Sequence, residues 1–258
     1  MAHEIDYQLV GDDMQAVIIG LDPGEAVMAE AGAMMFMTDG VEMETKTATK
    51  DGQGLGQALL GGLQRAITGE SFFITAFTYK GSQKGKVAFS APYPGKIIPV
   101  DLSKSDLLCQ KDAYLCSAWG IDISIAFTKK LGAGIFGGEG FILQKLSGDG
   151  LAFIHAGGTV IRKGLAAGET LKVDTGCLVA FEPTVDYDIN FVGGFKNALF
   201  GGEGLFFATL RGPGNVYLQT LPFSRVADRI ITASRRSEGE VRRGSEISGV
   251  LGDIISGR

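Results

Sequence analysis

The sequence predicts an all-β protein: three tandem β-units around a pseudo-threefold axis, joined by short helical linking segments. Three observations predict it. Glycine supplies 39 of the 258 residues, about twice the usual share of roughly 7%, and without the G-X-Y period of collagen. These glycines separate short apolar runs, the pattern of short strands and tight turns. The stretch "FGGEG" at Phe136 recurs at Phe200, and self-similarity of this kind marks repeated structure.

The repeat has two blocks. A Gly-Glu pair occurs at Gly69-Glu70, Gly138-Glu139 and Gly202-Glu203. After each comes an aromatic-rich run, "SFFITAF", "GFILQKL" and "GLFFATL". A glycine turn follows, then "KVAFSA", "LAFIHA" and "NVYLQT". Short apolar runs bounded by glycine read as strands. In the second block, "LDPGEAVMAEAGAMM" from Leu21 matches "LAAGETLKVDTGCLV" from Leu165. The shared positions are Leu21 and Leu165, Gly24 and Gly168, Glu25 and Glu169, Glu30 and Asp174, and Gly32 and Gly176. A weaker copy starts at Leu102 and sets Asp106 against Glu25 and Glu169.

The chain therefore reads as one compact body over 1–230, with units near 14–81, 86–146 and 150–210. The first unit is longest because of the polar stretch "TDGVEMETKTATKDGQ". A strand over 215–223 resembles the opening "MQAVIIG" and is expected to return to the first unit and close a ring. A charged, then glycine-rich tail occupies 231–258. Packing three units together buries faces that one small unit leaves open, and a closed ring removes strand edges.

A linking segment precedes each Gly-Glu pair. Leu59, Leu63 and Ile67 are spaced by four, as are Phe127, Leu131 and Ile135, and Phe191, Phe195 and Leu199. Residues so spaced share one side of a helix. Each segment also holds cations: Arg65, Lys129 with Lys130, and Lys196. Internal glycines, each costing a helix about 1 kcal/mol relative to alanine, limit these to short or irregular turns. Two readings follow. The segments cap the sheet ends with their apolar sides inward, or they form an apolar, cation-rimmed platform for a protein or a lipid surface.

Chemistry is sparse. His3 is terminal and His155 lies in an expected strand, so no histidine pair can hold zinc. In the repeat register Cys109, Cys116 and Cys177 fall at the positions of Met28, Met35 and Ala33, and read as packed thiols rather than nucleophiles. Glu70, Glu139 and Glu203 read as turn residues accepting backbone N–H groups. The other reading, a ring of carboxylates around a cation, suits widely separated single carboxylates poorly. Phosphate-loop and G-x-S-x-G patterns are absent. No catalytic residue, metal or cofactor is expected, and the protein is read as a non-enzyme.

Totals narrow the setting. The net charge of −5 argues against a nucleic-acid partner. Three cysteines make no disulfide framework. "MAHEIDYQLV" lacks a basic n-region and an apolar h-region. No apolar run reaches the length of a spanning helix. The cytoplasm is the expected compartment.

The threefold plan, the "FGGEG" boxes, the "PGE…AEAGAM" block and the C-terminal "GVLGDIISG" together resemble the altered-inheritance-of-mitochondria, or mitochondrial biogenesis, family. The resemblance implies tandem units similar to the tryptophan RNA-binding attenuator protein, of β-sandwich or double-stranded β-helix type. It implies no reaction, and its mitochondrial members are associated with inner-membrane organisation. The expected function is a non-enzymatic scaffold or interaction protein. Its surface would be Leu59, Leu63, Ile67, Leu131, Ile135, Phe195 and Leu199, rimmed by Arg65, Lys130 and Lys196. Its partner would be a membrane surface, a protein or copies of itself as a homo-oligomer. The alternatives are a small-ligand or RNA-binding module, and last a hydrolase with an unrecognised site.

Overall fold

The protein is all-β. The computed structural model describes residues 1–47, 73–129, 141–191, 206–227, 229–231 and 233–234. It divides into one unit, Met1–Leu221, and a second, Pro222–Arg258. The described part of the second is helical from 223 onward.

In the first unit an opening strand, β1 (Asp6–Val10), precedes three sets of six. The first set is β2 (Ala16–Leu21), β3 (Ala26–Glu30), β4 (Met34–Met37), β5 (Val41–Thr47), β6 (Phe73–Tyr79) and β7 (Gly85–Ser90). The second is β8 (Gly95–Asp101), β9 (Leu107–Gln110), β10 (Tyr114–Ala118), β11 (Asp122–Lys129), β12 (Phe141–Ser147) and β13 (Leu151–Gly157). The third is β14 (Val160–Leu165), β15 (Thr170–Asp174), β16 (Leu178–Phe181), β17 (Asp186–Phe191), β18 (Phe206–Arg211) and β19 (Gly214–Gln219).

One pairing scheme recurs. In every set the sixth strand lies between the first and third, and the fifth lies between the second and fourth, all antiparallel. The second strand of one set then pairs with the third strand of the next, β3 with β10 and β9 with β16. These junctions fuse half-sheets into two six-stranded sheets, leaving a four-stranded β1-β2-β7-β4 sheet and a three-stranded β15-β18-β17 sheet.

Local chemistry explains the repeated turn after the first strand. Gly24 and Gly168 sit at φ 88° and 80°, a left-handed conformation that glycine takes without steric cost. Beside them Glu25 Oε2 accepts the Asp22 N–H at 2.7 Å, and Glu169 Oε2 accepts the Ala166 N–H at 3.0 Å. The shared Gly-Glu is thus a turn that satisfies its own backbone. That bond, with Lys163 at 2.9 Å, holds the Glu169 carboxyl below the usual glutamate range.

Two expectations need correction. The strand at 215–223 does not return to the first unit: β19 pairs with β14 and β16. It follows β18 through the short Gly212-Pro213 turn but crosses into a different sheet, where β14 and β16 on either side set its place. The sets accordingly begin at β2, β8 and β14, and β7 belongs with the first set. The second set is also out of register by one residue beyond its first strand, because its first turn is one residue shorter. The ladders put Cys109 in the place of Ala29 and Cys116 in that of Phe36. Asp106 therefore does not act as Glu25 does; it pairs with Lys145 at 2.7 Å.

The core forms two apolar clusters. The larger joins the first and second sets with Val179 and Ala180 of the third, and includes Ile19, Phe77, Phe89, Leu115 and Phe153. The smaller gathers Leu165, Val173, Phe181, Ile189 and Leu210 of the third set with Leu108, Phe141 and Leu143 of the second. Buried polar groups tie the sets together. Tyr114 Oη donates to Met28 O at 3.2 Å and lies 3.0 Å from Ser117 Oγ. Gln219 Oε1 accepts the Gly157 N–H and its amide donates to Gly176 O. The N-terminal segment is also held, since His3 Nδ1 accepts the Ala26 N–H at 2.9 Å.

Candidate functional site

The sequence places its interaction surface in the three segments that join the fourth and fifth strands. Leu59, Leu63, Arg65, Ile67, Lys130, Leu131, Ile135, Phe195, Lys196 and Leu199 lie outside the described residues. So do the turn residues Gly69, Glu70, Gly138, Glu139, Gly202 and Glu203. What the structure describes is where these segments are rooted. Thr47 is directly opposite Phe73, Lys129 opposite Phe141, and Phe191 opposite Phe206. Each segment leaves and re-enters the body at one paired position, at the same place in its strand set. A ladder closed up to its last pair needs only a short turn to complete a hairpin. The body's own pairing therefore does not depend on the length of what lies between. Four residues before the first of these roots, Met43 on β5 is exposed.

Within the body, one group of titratable residues gathers where β3 meets the 3-10 turn Lys111–Ala113. Burial pushes the Glu30 carboxyl up to about 7, Asp112 adds to the rise, and Lys111 opposes it. Tyr93, from the turn after β7, is raised by burial and by the charges of Asp112 and Glu30. Its ring meets His155 edge-on at 4.6 Å. His155, on β13, is buried; burial lowers it to about 4, and its Nδ1 has no hydrogen-bond partner among the described residues. It is a neutral strand residue at ordinary pH. Cys109 and Cys116 are fully buried, and burial alone pushes the Cys109 thiol up to about 12 and Cys116 well above its ordinary value. Both are packed thiols; Cys177 is only half-buried. Among the described residues no three His, Cys, Asp or Glu side chains converge as a metal site, and no helix is long and apolar enough to cross a membrane.

The Glu30 group was not legible as a site because its members come from the end of β3 and two separate turns. Its consequence is a pH response. A glutamate normally titrates near 4.5, so between there and about 7 the folded chain holds the extra proton. Stability from this residue is full below 4.5 and is lost as pH rises through 7. His155 acts oppositely: its contribution is full above about 6.5 and is lost as pH falls toward 4. Glu30→Gln is expected to stabilise the chain at pH 8 by about 1–3 kcal/mol and to change it little at pH 4.5. Urea unfolding at the two pH values checks this; equal gains at both would show that burial of the charge is not the cause.

Comparison with known proteins agrees with this architecture. The family model described as mitochondrial biogenesis AIM24 matches residues 7–221. An uncharacterized protein of Streptococcus pyogenes serotype M6 is 32% identical over 216 residues, 82% of this chain and 83% of the relative. A crystal structure of another Streptococcus pyogenes protein, solved by the Northeast Structural Genomics Consortium, superposes with a TM-score of 0.73 at 25% identity. It covers 89% of this chain and 100% of that one. With its strands matched almost end to end by the family model, the chain belongs to the mitochondrial biogenesis AIM24 family.

Proposed function

We propose that this chain is a non-enzymatic scaffold that docks to an anionic membrane surface through the segments joining its fourth and fifth strands. One observation carries the reading: all three segments are rooted at directly opposed strand ends in equivalent places of the repeated set. Each combines apolar residues spaced by four with at least one cation. Such segments lay an apolar side into the headgroup boundary while cations meet anionic lipid. Three weak contacts on one body act together, so avidity exceeds any single contact. In the same reading the chain works in the cytoplasm as a homo-oligomer. Its three sets stand around a pseudo-threefold axis in an attenuator-like arrangement.

Vesicle flotation tests it. The wild-type chain is expected to co-float with anionic vesicles and much less with neutral ones. Leu63→Glu with Ile67→Glu, shown by circular dichroism to be folded, is expected to lose at least about tenfold of that binding. Absence of flotation with either lipid removes the membrane as partner and leaves a protein partner to be sought.

A further inference from the structure

The pairing of a second strand with the next set's third strand is made twice and could be made a third time. β3 takes β10 and β9 takes β16, but among the described residues β15 and β4 each end their sheets. Carrying the two observed registers onto the third pair sets Phe36 opposite Val173 and Met37 opposite Lys172. The unmade pair leaves the β4 residues in solvent. Met35, Phe36 and Met37 are 54%, 46% and 39% exposed, while their counterparts Leu115, Cys116, Ser117, Val179, Ala180 and Phe181 are buried to 2% or less. A strand edge with free backbone groups and an apolar row is a template for another strand.

The geometry points to a second copy of this chain as the occupant: β4 of one copy pairs with β15 of the other, and the twofold partner of that seam pairs β15 with β4. Two observations favour a second copy over closure of the chain on itself. The position of Phe36 against Val173 is filled by Cys116 against Ala29 and by Ala180 against Cys109 in the two seams that are made. Both seams fit two small side chains there, whereas the third would force a phenylalanine against a valine inside one packed body. Val173 is moreover buried in the cluster of the third set, which contains no residue of the first set. Between copies that constraint is lifted, and an aromatic residue facing a β-branched one is a favourable cross-strand pair. The Lys172 stem can lie over Met37 with its ammonium in water. Because both edges of the seam are on every copy, a twofold closes the assembly at a dimer. This inference names the interface of the homo-oligomer in the reading above and is independent of the membrane segments.

The test uses the full chain. Light scattering is expected to give twice the 27.2 kDa of one chain, and Phe36→Lys is expected to shift it to one chain without loss of the β-sheet circular dichroism signal. Met37→Cys and Lys172→Cys are placed on separate chains, each with Cys177→Ala so that the remaining native thiols are buried ones. Mixed and oxidised, they are expected to give a reducible two-chain band that neither gives alone to the same extent. A wild-type monomer would overturn both the homo-oligomer and this seam. A dimer without the mixed cross-link, or a cross-link formed inside a chain carrying both cysteines, would overturn the seam and leave the homo-oligomer standing.

Discussion

Phe153→Ala is expected to lower stability by about 3–5 kcal/mol, and the melting midpoint by roughly 10–15 °C. Phe153 is fully buried near the centre of β13. Its backbone is flanked by Pro99 of β8 and Cys116 of β10. Its ring meets Tyr7 edge-on at 4.9 Å. The residue thus fills the core of the sheet that fuses the first and second sets. Truncation removes apolar burial and leaves a cavity that strands tied on both sides cannot collapse into. Phe153→Leu, which keeps most of the volume, is expected to fall between wild type and alanine. Urea unfolding of the three chains checks the order; a loss below about 1 kcal/mol for alanine would mean that this part of the core relaxes freely.

Gln219→Ala is expected to cost about 2–4 kcal/mol although it removes little apolar surface. Gln219 is buried. Its carbonyl accepts the Gly157 N–H at 2.8 Å and its amide donates to Gly176 O at 2.7 Å. It therefore satisfies one backbone donor of the second set and one backbone acceptor of the third. Alanine leaves both without a partner away from water, and an unmet buried group costs more than a made bond gains. Gln219→Glu is a sharper version, because a carboxylate keeps an acceptor for Gly157 but has no donor for Gly176. It is expected to be at least as damaging at neutral pH and to recover partly as the pH falls and the carboxyl gains a proton. A pH-independent loss would point to packing rather than to the two hydrogen bonds.

Much of the fold was legible because it is local. Gly24 and Gly168 announce left-handed turns, and Glu25 and Glu169 beside them are the acceptors that those turns require. The runs "LAFIHA" and "GFILQKL" read as strands and are β13 and β12. What failed was non-local. "NVYLQT" is as apolar as any opening strand, and only its pairing between β14 and β16 decides that it is a sixth strand. The one-residue slip in the second set follows from a turn that is shorter by one residue, which spacing of apolar residues absorbs without trace. "MMFM" of β4 and "LVAF" of β16 look alike, yet one ends a sheet and the other is sealed by β9. The raised Glu30 depends on burial and on Asp112, which is distant in sequence. The interaction residues assigned from sequence were legible only as a spacing of four with nearby cations.

The most direct measurement is vesicle flotation of a chain in which residues 48–72, 130–140 and 192–205 are each replaced by a short Asn-Gly turn. Directly opposed pairs such as Thr47 and Phe73 allow hairpins to close this way. The expected result is a body with unchanged β-sheet circular dichroism and a cooperative melt that no longer floats with anionic vesicles. A shortened chain that floats like the wild type, or one that cannot fold without these segments, would contradict their role as the docking surface.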